Sequence, residues 1–236
     1  MLPKAIFFDM DDTLLFVNVT AESAWKEACK LAIKEPKPYN TEEFLNQLST
    51  VRNWYWSDAE RHRVGRLDLH GARTAIVGMA LEKLGCKDEQ TANNIAANYA
   101  NILDGALDFF PDAEKTLKEL VKKRVKLALL TNGAGEAQQA KIQRFRLGRY
   151  FSICLIEGEL GYGKPDQRFF KMALDKLGVM PNQAWMIGDD LERDIAGAQA
   201  AEIFSVWHDY GKAGLPEGSK IIPDRIINNL NELLTE

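Results

Sequence analysis

The sequence predicts an α/β protein built on a parallel sheet with helices on both faces, interrupted near its start by an all-helical insertion. Three observations carry that expectation. Short apolar runs recur along the chain, each closing in a polar or glycine-containing segment. Helical periodicity fills the intervals between the later runs. Residues from about 16 to 105 break this rhythm with helix-length amphipathic patterns and no convincing strand. Strands that alternate with helices pair in parallel through crossovers, and the crossovers cover both faces of the sheet.

Element by element, Ala5-Ile6-Phe7-Phe8 is the first strand, and further strands are expected at 125–130, 153–156, 184–187 and 203–207. Helices are expected over 113–123, 136–145, 167–177 and 195–201, with a weak last strand at 225–227 and a closing helix from Leu230. The insertion reads as a four-helix bundle: one helix over 20–33, a second opening at Thr41 as its N-cap, then 72–84 and 89–103. Pro36 and Pro38 form a loop inside it, and Phe109-Phe110-Pro111-Asp112 marks the return to the sheet. The expected division is therefore a core of residues 1–15 and 106–236 and a helical domain of residues 16–105.

The chain has 236 residues, 30 basic and 34 acidic side chains and a formal net charge of −4. That length allows a large core with an inserted second domain. A slightly acidic chain does not suit a nucleic-acid partner, which needs a broad Lys/Arg surface to displace counterions. No apolar run approaches the roughly 20 residues that span a bilayer, so no membrane partner is expected. The opening residues are too short for a signal-peptide core and run at once into Asp9, Asp11 and Asp12. Cys29, Cys86 and Cys154 lack the spacing of a zinc site, and with no pairing pattern they point to a reducing, cytoplasmic home.

The chemistry is concentrated where strands end. The first strand runs into Asp9-Met10-Asp11-Asp12-Thr13, and alternation puts Asp9 and Asp11 on one side. Carboxylates this close repel unless a positive group lies between them, so a hard divalent cation such as Mg²⁺ is the natural partner; solvated acids in a capped turn are the alternative. The second strand ends in Leu130-Thr131-Asn132-Gly133, a hydroxyl and loop amides suited to an anion, or simply a turn. Lys164, between Gly163 and Pro165, suits a point-charge clamp on phosphate, although a surface loop lysine is the ordinary outcome. The fourth strand ends in Gly188-Asp189-Asp190, with Asp194 five residues after Asp189; a helix N-cap is the alternative there. In an open parallel sheet the carboxyl ends of the strands line the ligand crevice, which would bring all four clusters together.

A strand-end DxD, a Thr, a Lys and a Gly-Asp followed by a further Asp, in this order, resemble the four motifs of the haloacid-dehalogenase (HAD) superfamily, and the helical insertion resembles its cap domain. The resemblance implies a Rossmann-like core and hydrolysis of a small-molecule phosphomonoester with Mg²⁺. Asp9 would be the nucleophile that becomes an aspartyl-phosphate, and Asp11 the general acid and base. Mg²⁺ would sit on the Asp9 carboxylate, the Asp11 backbone carbonyl and the Asp189 carboxylate, with Asp190 and Asp194 behind them. Thr131, Asn132 with its neighbouring loop amides, and Lys164 would bind the non-bridging phosphate oxygens. The whole-chain pattern looks most like the phosphoglycolate-phosphatase and N-acylneuraminate-9-phosphatase branch, or the closely similar nucleoside-monophosphate phosphatases.

Competing patterns are weaker. Gly133-Ala134-Gly135 imitates a dinucleotide fingerprint, but Gln138 stands where the third Gly belongs. There is no G-x-x-x-x-G-K-[ST], no G-x-S-x-G and no H-E-x-x-H. His62, His70 and His208 read as surface or structural residues. Within the resemblance, a phosphosugar mutase shares all four motifs, whereas a 2-haloacid dehalogenase lacks the second aspartate that Asp11 supplies. A phospho-acceptor signalling module or an inactive binding module is the non-enzyme alternative. In the insertion, Trp54, Trp56 and the arginines 52, 61, 63, 66 and 73 are candidate substrate contacts, Arg66 foremost; the alternative is aromatic core and arginines paired with Asp58, Glu60 and Asp68.

Overall fold

A computed structural model describes residues 2–32 and 40–235. The chain forms two compact units, Met1–Phe16 with Asp108–Glu236, and Val17–Leu107. Strand β1 (Ala5–Phe8) is four apolar residues without exposure, as befits a strand covered on both faces. After it the chain turns tightly: Leu14 and Leu15 both donate backbone N–H bonds to Met10 O at 2.9 Å, and Asp12 takes φ +61°, a left-handed conformation that Asp tolerates. Strand β2 (Leu15–Val17) then carries the chain into the helical unit.

That unit contains α1 (Ala21–Ala32), α2 (Thr41–Trp56), α3 (Ala59–Gly65), α4 (Leu69–Lys83) and α5 (Glu89–Gly105). Four of them are capped by side chains: Asn40 accepts from Glu42 N, Asp58 from Arg61 N, Asp68 from Gly71 N and Asp88 from Thr91 N, each at 2.7–2.9 Å. Such a cap contributes about 1 kcal/mol. The cap of α2 is thus Asn40, one residue before the expected Thr41. The core of the unit is Trp25, Phe44, Leu48, Ile76, Leu81 and Ile95 with their neighbours, and Trp25 stacks on Tyr99 at 3.7 Å between ring centroids. Among the described residues five helices stand where four were expected. The additional α3 is seven residues of mostly polar sequence, too short to show a period, and its capping residue Asp58 sets where it begins. The expected loop at Pro36 and Pro38 lies outside the described residues.

Strand β3 (Leu107–Phe109) pairs with β2 in a two-stranded sheet. From there α6 (Ala113–Lys122), β4 (Lys126–Thr131), α7 (Gly135–Arg144), β5 (Ile153–Ile156), the single turn α8 (Glu157–Leu160), α9 (Gln167–Leu177), β6 (Ala184–Gly188), α10 (Gly197–Ala200), β7 (Phe204–His208) and β8 (Arg225–Ile227) complete the core. The main sheet is parallel, ordered β5-β4-β1-β6-β7-β8. Phe7, Leu130 and Met186 of the sheet pack against Phe169, Phe170 and Leu177 of α9. Burying one such side chain contributes about 1.5–3 kcal/mol.

This topology positions the site. β1 lies between β4 and β6, with Phe8 in register with Leu129 on one side and Ile187 on the other. The chain runs outward from β1 through β4 to β5, then crosses to β6 and runs outward the other way, so the strand order reverses beside β1 and opens a crevice at the carboxyl ends of β1, β4 and β6. Two elements differ from expectation. The helix expected from 195 begins earlier, as a π-helical turn over Leu191–Ala196 leading into α10. The closing helix is a 3₁₀ segment, Leu230–Leu234. No helix of the described residues is long and apolar enough to cross a membrane.

Candidate active site

Asp9 is the first residue after β1, and its N–H continues the ladder by donating to Ile187 O at 2.9 Å. The residue is 6% exposed. Lys164, 2% exposed, bridges two acids: its Nζ lies 2.5 Å from Asp9 Oδ1 and 2.7 Å from Asp194 Oδ1. Asp189 stands at the end of β6, its carboxylate accepting from Thr13 Oγ1 at 3.3 Å and its carbonyl accepting from Trp207 Nε1 at 2.7 Å. Asp9, Asp189 and Asp194 each offer an oxygen within 4.8 Å of the others.

Three carboxylates facing one ammonium leave excess negative charge in a buried place. Burial first, then Asp194, pushes the Asp9 carboxyl up to about 7 against the opposing pull of Lys164. Burial, then Asp9 and Asp194, pushes Asp189 up to about 8. Lys164 moves the other way from what burial alone would do: the Asp194 and Asp9 carboxylates outweigh desolvation and hold the ammonium charged. Hard oxygen donors, converging and short of positive charge, fit a divalent cation of the Mg²⁺ kind.

The two loops that face Asp9 are stitched together. Asn132 clamps the Lys164 backbone from both sides, donating from Nδ2 to Lys164 O at 2.7 Å and accepting at Oδ1 from Lys164 N at 2.8 Å. Gly158 N donates to Gly133 O at 3.0 Å, and Gly133 N donates to the buried Glu157 carboxylate at 3.0 Å. Gly163 and Gly158 permit these approaches: a Cβ on Gly163 would lie 2.5 Å from Asn132 Oδ1, and one on Gly158 2.5 Å from Gly135 N. The Asn132 side chain is thus occupied in fixing Lys164, and the Gly133 amide of the same loop donates to Glu157. Thr131 ends β4 fully buried and accepts from Gln138 Nε2 at 2.6 Å.

Asp11 stands apart from the three clustered acids. Its Oδ1 lies 2.7 Å from Lys141 Nζ and its Oδ2 accepts from Gln138 Nε2 at 2.9 Å. Asp190 and Asp194, expected together behind the cluster, separate. Asp190 is a cap, accepting from Glu192 N and Arg193 N at 3.0 and 2.7 Å and pairing with the Arg193 guanidinium. Asp194 comes forward into the cluster. In the wide π turn Ile195 N–H donates to Asp190 O, five residues back, and Asp194 Oδ2 accepts from Asp190 N at 3.1 Å. Gly188 makes room, since a Cβ there would overlap the Asp194 carboxylate.

Arg66 belongs to the helical unit, where it follows α3 with its guanidinium 3.4 Å from His62 Nδ1. Trp54 is exposed and carries the Arg61 guanidinium 3.9 Å above its ring, Trp56 packs against the helical core, and Arg63 pairs with Glu60. His208, expected as a surface or structural residue, is buried against Phe110 with its pKa depressed by burial to about 4. Sequence reasoning missed Gln138, Lys141 and Glu157. Gln138 and Lys141 sit three residues apart on α7 and so share a face, a signal present in the spacing but common on any polar helix.

A family model described as haloacid dehalogenase-like hydrolase matches residues 3–202. A phosphoserine phosphatase of Thermus thermophilus is 42% identical over 124 residues, 52% of this chain and 49% of that one. A glyceraldehyde 3-phosphate phosphatase of Pyrococcus furiosus is 33% identical over 235 residues, 98% of this chain and 91% of that one. The solved structure of a protein assigned as a HAD-hydrolase from Bacillus subtilis, bound to magnesium, shares the fold: TM-score 0.71 at 21% identity, over 99% of this chain and 97% of that one. With a match over most of its length, the chain belongs to the haloacid dehalogenase-like hydrolases.

Proposed function

We propose that the chain hydrolyses small-molecule phosphomonoesters, with Asp9 as nucleophile and Asp11 as general acid and base. The observation that carries this reading is the division of four carboxylates: Asp9, Asp189 and Asp194 converge around Lys164, while Asp11 is held separately by Lys141 and Gln138. Phosphatases among its relatives support the same reaction. Asp11 also separates it from carbon–halogen cleavage, which has no leaving alcohol to protonate.

An Asp9 carboxylate oxygen attacks phosphorus and the ester P–O bond breaks, the leaving oxygen taking its proton from Asp11. Asp11 then takes a proton from water, whose oxygen attacks the same phosphorus, and Asp9 is released with inorganic phosphate. Lys164, fixed by Asn132, and the Thr131 hydroxyl stabilise charge on the non-bridging oxygens. Asp9, Asp189 and Asp194 would hold Mg²⁺, which supplies Lewis-acid neutralisation of that charge. A cytoplasmic location belongs to the same proposal, on the cysteine pattern of the sequence.

The test is phosphate release from p-nitrophenyl phosphate, phosphoserine and glyceraldehyde 3-phosphate, with Mg²⁺ and with EDTA. Metal-dependent release that Asp9→Asn abolishes is expected. No release from any phosphomonoester in a broad panel with Mg²⁺, or release unaffected by Asp9→Asn, would overturn the reading.

A further inference from the structure

The Asp11 carboxylate follows Asp9 by two residues and is partly exposed. A hard cation takes six or more oxygens and recruits carboxylates readily. A carboxylate bound to a cation has its lone pairs committed and carries protons poorly, so the proposed chemistry needs Asp11 to stay out of the metal shell. Both of its oxygens are engaged from one face of α7: Oδ1 by the Lys141 ammonium at 2.7 Å and Oδ2 by the Gln138 amide at 2.9 Å. Gln138 is buried, and the same Nε2 reaches Thr131 Oγ1 at 2.6 Å and Asn132 O at 2.9 Å. Its place is therefore set by the β4 loop, and it ties the Asp11 position to that loop.

We propose that Lys141 is a positioning residue which, together with Gln138, keeps the Asp11 carboxylate out of the cation's ligand set and available for proton transfer. Its part in turnover rests on the phosphatase reading; its part in partitioning the acids does not. Lys141 is a quarter exposed and on a helix surface, so Lys141→Met is compatible with folding.

The probe is Mn²⁺ alone, titrated by electron paramagnetic resonance. Lys141→Met is expected to bind Mn²⁺ several-fold more tightly than the unaltered chain, because Asp11 is released to join the shell. In an Asp11→Asn background the same substitution is expected to change affinity little. Equal tightening in both backgrounds would report only the lost positive charge and would overturn the assignment, as would unchanged affinity in the first. In turnover, Lys141→Met is expected to lower kcat by about 10²-fold, the low end of what a general acid–base contributes. KM should hold, and Lys141→Arg should restore the rate. An unchanged kcat in Lys141→Met, or a loss in KM alone, would also overturn it. If no form of the chain hydrolyses any ester, the phosphatase reading falls while the Mn²⁺ cycle still decides the partition.

Discussion

At the scale of single residues, the site is governed by a charge imbalance that sequence could only half reveal. Strand periodicity places Asp9, Thr131 and Asp189 at strand ends, and the structure brings Asp9, Asp189 and Lys164 together as that pattern implies. What spacing does not encode is which acid pairs with which base: Asp194 joins the cluster, Asp190 caps a turn, and Asp11 turns to Lys141. Lys164 is the compensating charge, so Lys164→Met should leave buried Asp9 and Asp194 unpaired and cost about 3–5 kcal/mol, read by urea unfolding near pH 7. The pH dependence has a definite sign. Asp9 and Asp189 are pushed up from 3.8 to about 7 and about 8, so the metal-free folded state holds protons that the unfolded chain has lost. The stability they favour is full below pH 4 and declines as pH rises toward 8. Unfolding in EDTA should show that decline, and Mg²⁺ should offset it most at the alkaline end, since binding displaces those protons.

At the scale of elements, the loops after β4 and β5 act as one block. Asn132 holds the Lys164 backbone, and Gly163 and Gly158 lie too close to their neighbours for side chains. Gly158→Ala is the sharpest test, because its Cβ would meet the Gly135 and Gly133 backbones, which have no rotamer to change. Overpacking of this kind costs about 1–3 kcal/mol, and kcat should fall with Lys164 displaced from Asp9. The π turn at Leu191–Ala196 was not legible in sequence, because it looks like the start of an ordinary helix. It is nevertheless what accompanies the forward placement of Asp194. The short α3 escaped for the opposite reason, having too few residues to display a period.

At the scale of the whole molecule, the placement of the strands along the chain was the most legible feature, since runs such as Ala5–Phe8 are apolar on both faces and leave little freedom of interpretation; their order in the sheet was not legible. The paired β2 and β3 strands are only three residues each and carry no such signal. Two units with separate cores should unfold with separable calorimetric signatures. Trp25→Ala, which empties the stack on Tyr99, should cost about 3–5 kcal/mol and shift the transition of the helical unit alone. The central claim, that Asp9 carries the phosphoryl group, is tested most directly by acid quench during turnover of p-nitrophenyl phosphate with Mg²⁺, borohydride trapping and peptide mass spectrometry. The account predicts that the side chain at Asp9 is reduced to the alcohol with release of phosphate, a change absent from an inactive Asp9→Asn chain; reduction at another residue instead, or full turnover by Asp9→Asn, would contradict it.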